Sequence, residues 1–124
     1  MAAANVRVPY FAISSSSRPT SGPGGLAAAT REVIARHGHD LRVSHIEGDD
    51  VSSRLDALQQ AGHSLPHLTS GEPLSSWTHQ PLTANAYLGG FGIARALQDG
   101  ADIVITGRVA DASLIVGPAA WWWG

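Results

Sequence analysis

The chain reads as an α/β fold: a partial parallel sheet with flanking helices, in an incomplete domain. Three observations predict it. Apolar residues recur at helical spacing from Leu26 to His37, and again from Val51 to Ala61 with Leu55, Leu58 and Ala61 on one stripe. Short strand-like runs alternate with the helical ones, and alternation of this kind needs helical crossovers between parallel strands. The run Ile103-Val104-Ile105 is continuously apolar, as a central strand covered on both faces must be.

In chain order, Val6 to Ile13 mixes β-branched residues around Pro9 and reads as a weak edge strand. Ser14 to Gly25 is a Ser/Pro/Gly loop. The helix to His37 carries Leu26, Ala29, Val33, Ile34 and His37 on one side, and Gly38 stops it. Leu41 to Ile46 is a short strand broken by Gly48, with Asp49 or Asp50 placed to cap the Val51 helix and Gly62 to close it. From His63 to Leu82 a stretch of about 20 residues rich in Pro, Gly, Ser and Thr has the length of a lid, binding loop or insertion. A second helix–strand pair follows, Ala86 to Gln98 and Ala101 to Thr106, and then a helix from Ala112 to Ala120 capped by Asp111. Trp121-Trp122-Trp123 cannot all be buried by one helix face, because neighbours on a helix point about 100° apart. This end is expected to meet the remainder of a longer chain or a protein partner.

Composition narrows the function classes. With 124 residues, 44% apolar content and a formal net charge of −2, the chain fits a globular domain without a nucleic-acid partner. Cysteine is absent, which removes disulfides, thiolate metal sites and a cysteine nucleophile. No apolar run reaches the roughly 18 residues needed to cross a bilayer, so no membrane partner is expected. Residues 1–31 contain three arginines and four consecutive serines but no acid, the composition of an organelle transit peptide or of a flexible or divergent leader. The leader reading, over residues 1–24, goes with a cytoplasmic protein and the transit-peptide reading with a mitochondrial one.

Several unusual loop sequences coincide in order: Glu47-Gly48-Asp49-Asp50, Gly71-Glu72-Pro73-Leu74, Thr83-Ala84-Asn85-Ala86-Tyr87-Leu88-Gly89-Gly90, Thr106-Gly107-Arg108-Val109-Ala110-Asp111-Ala112-Ser113-Leu114 and Val116-Gly117-Pro118-Ala119-Ala120-Trp121. Through them the segment 25–124 resembles the N-terminal domain of the acyclic terpene utilisation protein A family. The resemblance implies a longer parent and a setting beside acyl-CoA carboxylases in citronellol and geraniol breakdown. It is lost over Ser14-Ser15-Ser16-Ser17-Arg18-Pro19-Thr20-Ser21, where the family has a Thr-Asn-Ala-Gly-Gly type turn.

If the two firm strands are parallel, their carboxyl ends share one rim, the ligand position of open α/β sheets. Glu47, Asp49 and Asp50 then lie toward Arg108 and Asp111. The acidic trio can serve proton transfer or Mg²⁺, or can cap and compensate the next helix, with Glu47 least explained by capping. Arg108 suits a carboxylate or phosphate such as an acyl-CoA tail, or an ion pair with Asp111 or the acidic turn. Candidate catalytic residues are Glu47, Arg108 and Asp111. Candidate substrate-binding residues are Asn85, Asp49, Asp50 and Ser113, although Asn85, Asp111 and Ser113 also suit helix caps. Gly89-Gly90-Phe91-Gly92 lacks a leading strand and has Arg95 where a third glycine belongs, so it predicts close helix packing rather than dinucleotide binding. His63 and His67 straddle Pro66 and cannot form a helical zinc pair. The residues name no cofactor and no resident metal. The expected ligand is a small acid or acyl-CoA, handled by an enzyme or by a scaffold subunit of a carboxylase.

Overall fold

A computed structural model describes residues 10–13 and 22–124. The Ser14–Ser17 run and most of the leader fall outside the described residues. A three-stranded parallel sheet has the order β1-β3-β2, with β1 Tyr10–Ile13, β2 Val43–Ile46 and β3 Ile103–Thr106. Tyr10 and Val43 both pair with Ile103, and Ile13 and Ile46 both pair with Thr106. The apolar run is therefore the central strand, and the segment preceded by Pro9 is an edge. The described residues form four α-helices: α1 Pro23–Arg36, α2 Leu55–Gln60, α3 Phe91–Gln98 and α4 Ser113–Trp123.

The chain divides into two compact units, Met1–Asp49 with Ala86–Gly124, and Asp50–Asn85. The first unit holds the sheet and its core. Alternation along the strands puts His45 and Ile105 on one face and Ile46, Val104 and Thr106 on the other. On the first face, a Cβ added to Gly24 of α1 would stand 3.6 Å from His45 Nε2. On the second, Val104 packs with Ile93 and Leu97 of α3, and with Ile46, Leu114 and Trp121 at the margin. Helices on both faces bury the central strand as its composition predicts.

Several boundaries move. α1 begins at Pro23, whose fixed φ suits the first turn, and it buries Ala27 rather than the Leu26–Val33 stripe. Its side is set by the sheet: Arg31 Nη2 donates to the carbonyl of Val43 at 2.7 Å. α1 stops before Gly38 and α2 before Gly62, both at positive φ (70° and 91°), where glycine carries no Cβ penalty. The expected Ala86–Gln98 helix forms only from Phe91. Leu88 is taken by an extended bridge to Val109, donating its N–H to the carbonyl of Arg108 at 3.0 Å and accepting from Ala110 N at 3.0 Å. Backbone so engaged cannot also supply helical bonds.

α3 and α4 meet at two glycines. A Cβ on Gly90 would lie 2.9 Å from Gly117 N, and one on Gly117 would lie 2.7 Å from the carbonyl oxygen of Gly90 and 2.8 Å from Ile93 Cβ. Trp121 reaches the core margin, whereas Trp122 and Trp123 remain 59% and 81% exposed, as the 100° spacing requires.

In the second unit, the Val51–Ala61 helix is split into a 3-10 turn, Ser52–Arg54, and α2. The long loop holds one further 3-10 turn, Leu74–Ser76. There His67 Nδ1 accepts backbone N–H groups from Ser70 (3.1 Å) and Thr69 (3.3 Å), so its ring serves the local turn.

The glycine contact gives a direct test. Gly117→Ala forces a methyl against Gly90 and Ile93, outweighs the ~1 kcal/mol gained in helix propensity, and lowers stability by about 1–2 kcal/mol in urea denaturation. Gly89→Ala, where an added Cβ meets nothing within 4 Å, leaves stability within about 0.5 kcal/mol of the parent.

Candidate functional site

Because β2 and β3 are parallel neighbours ending at Ile46 and Thr106, the loops that follow them leave from the same rim. Gly107 N donates to the carbonyl of Ile46 at 3.0 Å, so the two loops are joined at their first step. Asp49 then reaches across: its Oδ2 accepts the backbone N–H of Arg108 at 2.8 Å. A Cβ on Gly107 would collide with this carboxylate, so glycine is required for the approach. Asp49's own carbonyl accepts from Ala86 N at 2.7 Å, which fixes the segment leading to Tyr87. Asp49 is thus half-buried and engaged with the Arg108 turn, not capping the next helix.

The Arg108 side chain takes neither partner that the sequence suggested for a structural ion pair. No ion pair joins it to Asp111 or to the acidic turn among the described residues. Its guanidinium stands over the Tyr87 ring, 5.9 Å from the centroid. A guanidinium held over a ring by its charge keeps N–H donors available for a carboxylate or phosphate. Tyr87 is 67% exposed and Arg108 half-buried, so the pair lies where a ligand can reach it.

Glu47 leaves the same rim but turns toward α1. Its Oε1 lies 3.6 Å from His45 Nε2, and a Cβ on Gly24 would stand 2.8 Å from it. The first turn of α1 has no acid of its own and no side-chain cap, so Glu47 brings negative charge to that helix's positive end. Asp111 is exposed and does not cap α4: the cap position is Ala112, without a side-chain cap bond. The carbonyl of Asp111 accepts the Leu114 N–H at 3.3 Å, so its backbone, not its carboxylate, serves the first turn. Ser113 is buried and its hydroxyl donates to the carbonyl of Leu88 at 3.5 Å, binding the α4 start to the Tyr87 strand segment.

Asp50 and Asn85 belong to the second unit and pair with each other in an antiparallel bridge. Asn85 opens no helix, since the next one, α3, begins only at Phe91. Asp50 Oδ1 accepts the Ser52 N–H at 2.9 Å, closing a local Asx-type turn before the 3-10 segment. Among the described residues no group of three or more His, Cys, Asp or Glu is arranged to hold a metal, and no helix is long and apolar enough to cross a membrane.

Tyr87 and Thr106 are the site features that residue-by-residue reasoning passed over. Tyr87 stands next to Asn85 in the Thr83–Gly90 motif and is brought to Arg108 only by the Leu88–Val109 bridge. Thr106 closes the central strand, is 0% exposed, and its hydroxyl has no hydrogen-bond partner among the described residues.

Residues 18–124 match the family described as acyclic terpene utilisation family protein AtuA, and the chain belongs to that family. No curated protein and no solved structure matches it.

The Asp50 turn predicts a pH signature. Ser52, through its hydroxyl and its backbone N–H, holds the Asp50 carboxyl below its ordinary value. A folded-state pKa below the unfolded one favours the fold at neutral pH, and that contribution fades as pH falls through the carboxylate range. In an NMR titration, Ser52→Ala moves the Asp50 midpoint upward toward the ordinary value.

Proposed function

We propose that this chain binds the carboxylate or thioester head of a terpenoid acid or branched acyl-CoA, in an enzyme of acyclic terpene (citronellol/geraniol) breakdown. Family membership places it in acyclic terpene utilisation at the family level. The observation that carries the finer reading is Arg108, a guanidinium at the carboxyl rim of a parallel sheet, held over the Tyr87 ring and without a carboxylate partner among the described residues. Ligands of open α/β sheets bind at this rim, and a planar fork of N–H donors matches a carboxylate or phosphate.

The geometry supports the following division of labour. Arg108 binds the anionic or carbonyl head. Asp49 positions Arg108 through its backbone N–H and so acts on ligand binding indirectly. Glu47 is the candidate proton acceptor of the rim, with His45 beside it at 3.6 Å. Asp111 is the second candidate acid, and Ser113 anchors the loop between them. Such a ligand suits the cytoplasm, where acyl-CoA esters are handled.

A second reading is supported by a separate observation. Ile115, Val116, Trp122 and Trp123 of α4 are all more than half exposed, and i, i+1, i+7, i+8 spacing sets them on one stripe. An exposed apolar stripe suits a scaffold subunit, docked on an acyl-CoA carboxylase or on the remainder of a longer chain.

Calorimetric titration with citronellate and its CoA thioester separates the two readings. Arg108→Ala weakens binding at least about tenfold if the rim is the site, since a hydrogen bond to a charged group contributes about 1.5–3 kcal/mol. Unchanged affinity in Arg108→Ala contradicts the rim reading. Lost association with the carboxylase in Trp122→Ala or Trp123→Ala, with affinity intact, supports the scaffold.

A further inference from the structure

We infer that Thr106 is a ligand-contacting residue, its hydroxyl being the hydrogen-bond partner of a carbonyl or carboxylate oxygen of the molecule held by Arg108. The inference rests on the rim reading above and adds to it a contact from inside the sheet.

Thr106 is the last residue of the central strand, fully buried, and its Oγ1 has no partner among the described residues. The other buried polar side chains behave differently: Asp102 Oδ2 accepts the Arg42 N–H at 2.9 Å, and the Ser113 hydroxyl donates to Leu88 at 3.5 Å. Burying a hydroxyl without a partner costs free energy, so such groups are few and call for a reason. Shape is not the reason. Valine has almost the same volume, suits a β-strand as well, and would fill the position without stranding an oxygen.

Position supplies the reason. Thr106 shares its face with Ile46 and Val104, the face covered by α3. A Cβ on Gly92, in the first turn of α3, would lie 3.3 Å from the Ile46 side chain, so the amino end of α3 is at this corner. The first N–H groups of a helix have no intrahelical partner and favour an electronegative neighbour. Two residues beyond Thr106 the chain reaches the half-buried Arg108, where it regains contact with solvent. A hydroxyl donor and a helix amino end share this face, and the guanidinium follows two residues on in the chain, a set that suits an oxygen acceptor bearing full or partial negative charge.

The test compares Thr106→Val and Thr106→Ser in the full chain by thermal unfolding, and by calorimetry with citronellate and its CoA thioester. Without ligand, Thr106→Val melts about 4 °C higher than the parent, because an unsatisfied hydroxyl has been removed. The same variant binds the preferred probe about tenfold more weakly, and Thr106→Ser keeps the parent affinity. Which probe binds tells a free carboxylate from a thioester carbonyl. An unchanged or lower melting temperature in Thr106→Val overturns the inference, since the hydroxyl then has a partner. Unchanged affinity in Thr106→Val, with binding weakened in Arg108→Ala, overturns it while the rim reading stands. Failure of both probes to bind the parent overturns both.

Discussion

The carboxylate of Asp49 holds the turn after the central strand. Its Oδ2 accepts the Arg108 N–H at 2.8 Å, while the backbone of the same residue accepts from Ala86 N at 2.7 Å. One residue thereby fixes the loop after β3 and the segment carrying Tyr87. A hydrogen bond to an ionised acceptor is shorter and stronger than a neutral one, and Gly107 provides the room for it by having no side chain. The cation–π contact of Arg108 with Tyr87, the bridge from Leu88 to Val109 and the Ser113 anchor are arranged around this contact. The backbone that carries the Arg108 guanidinium is therefore held by the carboxylate of Asp49, 59 residues away in the chain.

The sheet supplies the rigidity this requires. Its central strand is buried by helices on both faces, and the Ile93–Leu97–Val104 cluster locks α3 to β3. α4 closes over α3 only because Gly90 and Gly117 let two backbones approach. At the opposite, amino edge, the buried Asp102 carboxylate takes the Arg42 N–H and secures the starts of β2 and β3. The rim loops are thus tied to strands that are fixed at both ends.

Much of this was legible in the residues, and the parts that were not have identifiable causes. The apolar run Ile103-Val104-Ile105 announced a covered central strand, and Gly38 and Gly62 announced helix ends through positive φ. Parallel pairing, inferred from helix–strand alternation alone, brings the loops of Asp49 and Arg108 to one rim. The start of α3 was misjudged because a run with helical periodicity can be claimed by a long-range bridge, here Leu88 to Val109. Local rules also assigned Asp49, Asp111 and Ser113 to caps, since such residues accept nearby N–H groups in most settings. Tertiary partners outbid those local bonds for Asp49 and Ser113, at sequence separations of 59 and 25 residues. The stranded hydroxyl of Thr106 is invisible to sequence patterns, because threonine in a strand is ordinary until its surroundings are known.

Amide hydrogen exchange at Arg108, compared between the parent and Asp49→Ala, tests the central contact most directly. The account predicts exchange faster by about tenfold or more at Arg108, the amide that loses its acceptor, while Ala94 inside α3 keeps its protection. Equal protection of the Arg108 amide in both proteins would contradict it, because the turn would then be held by something other than the Asp49 carboxylate.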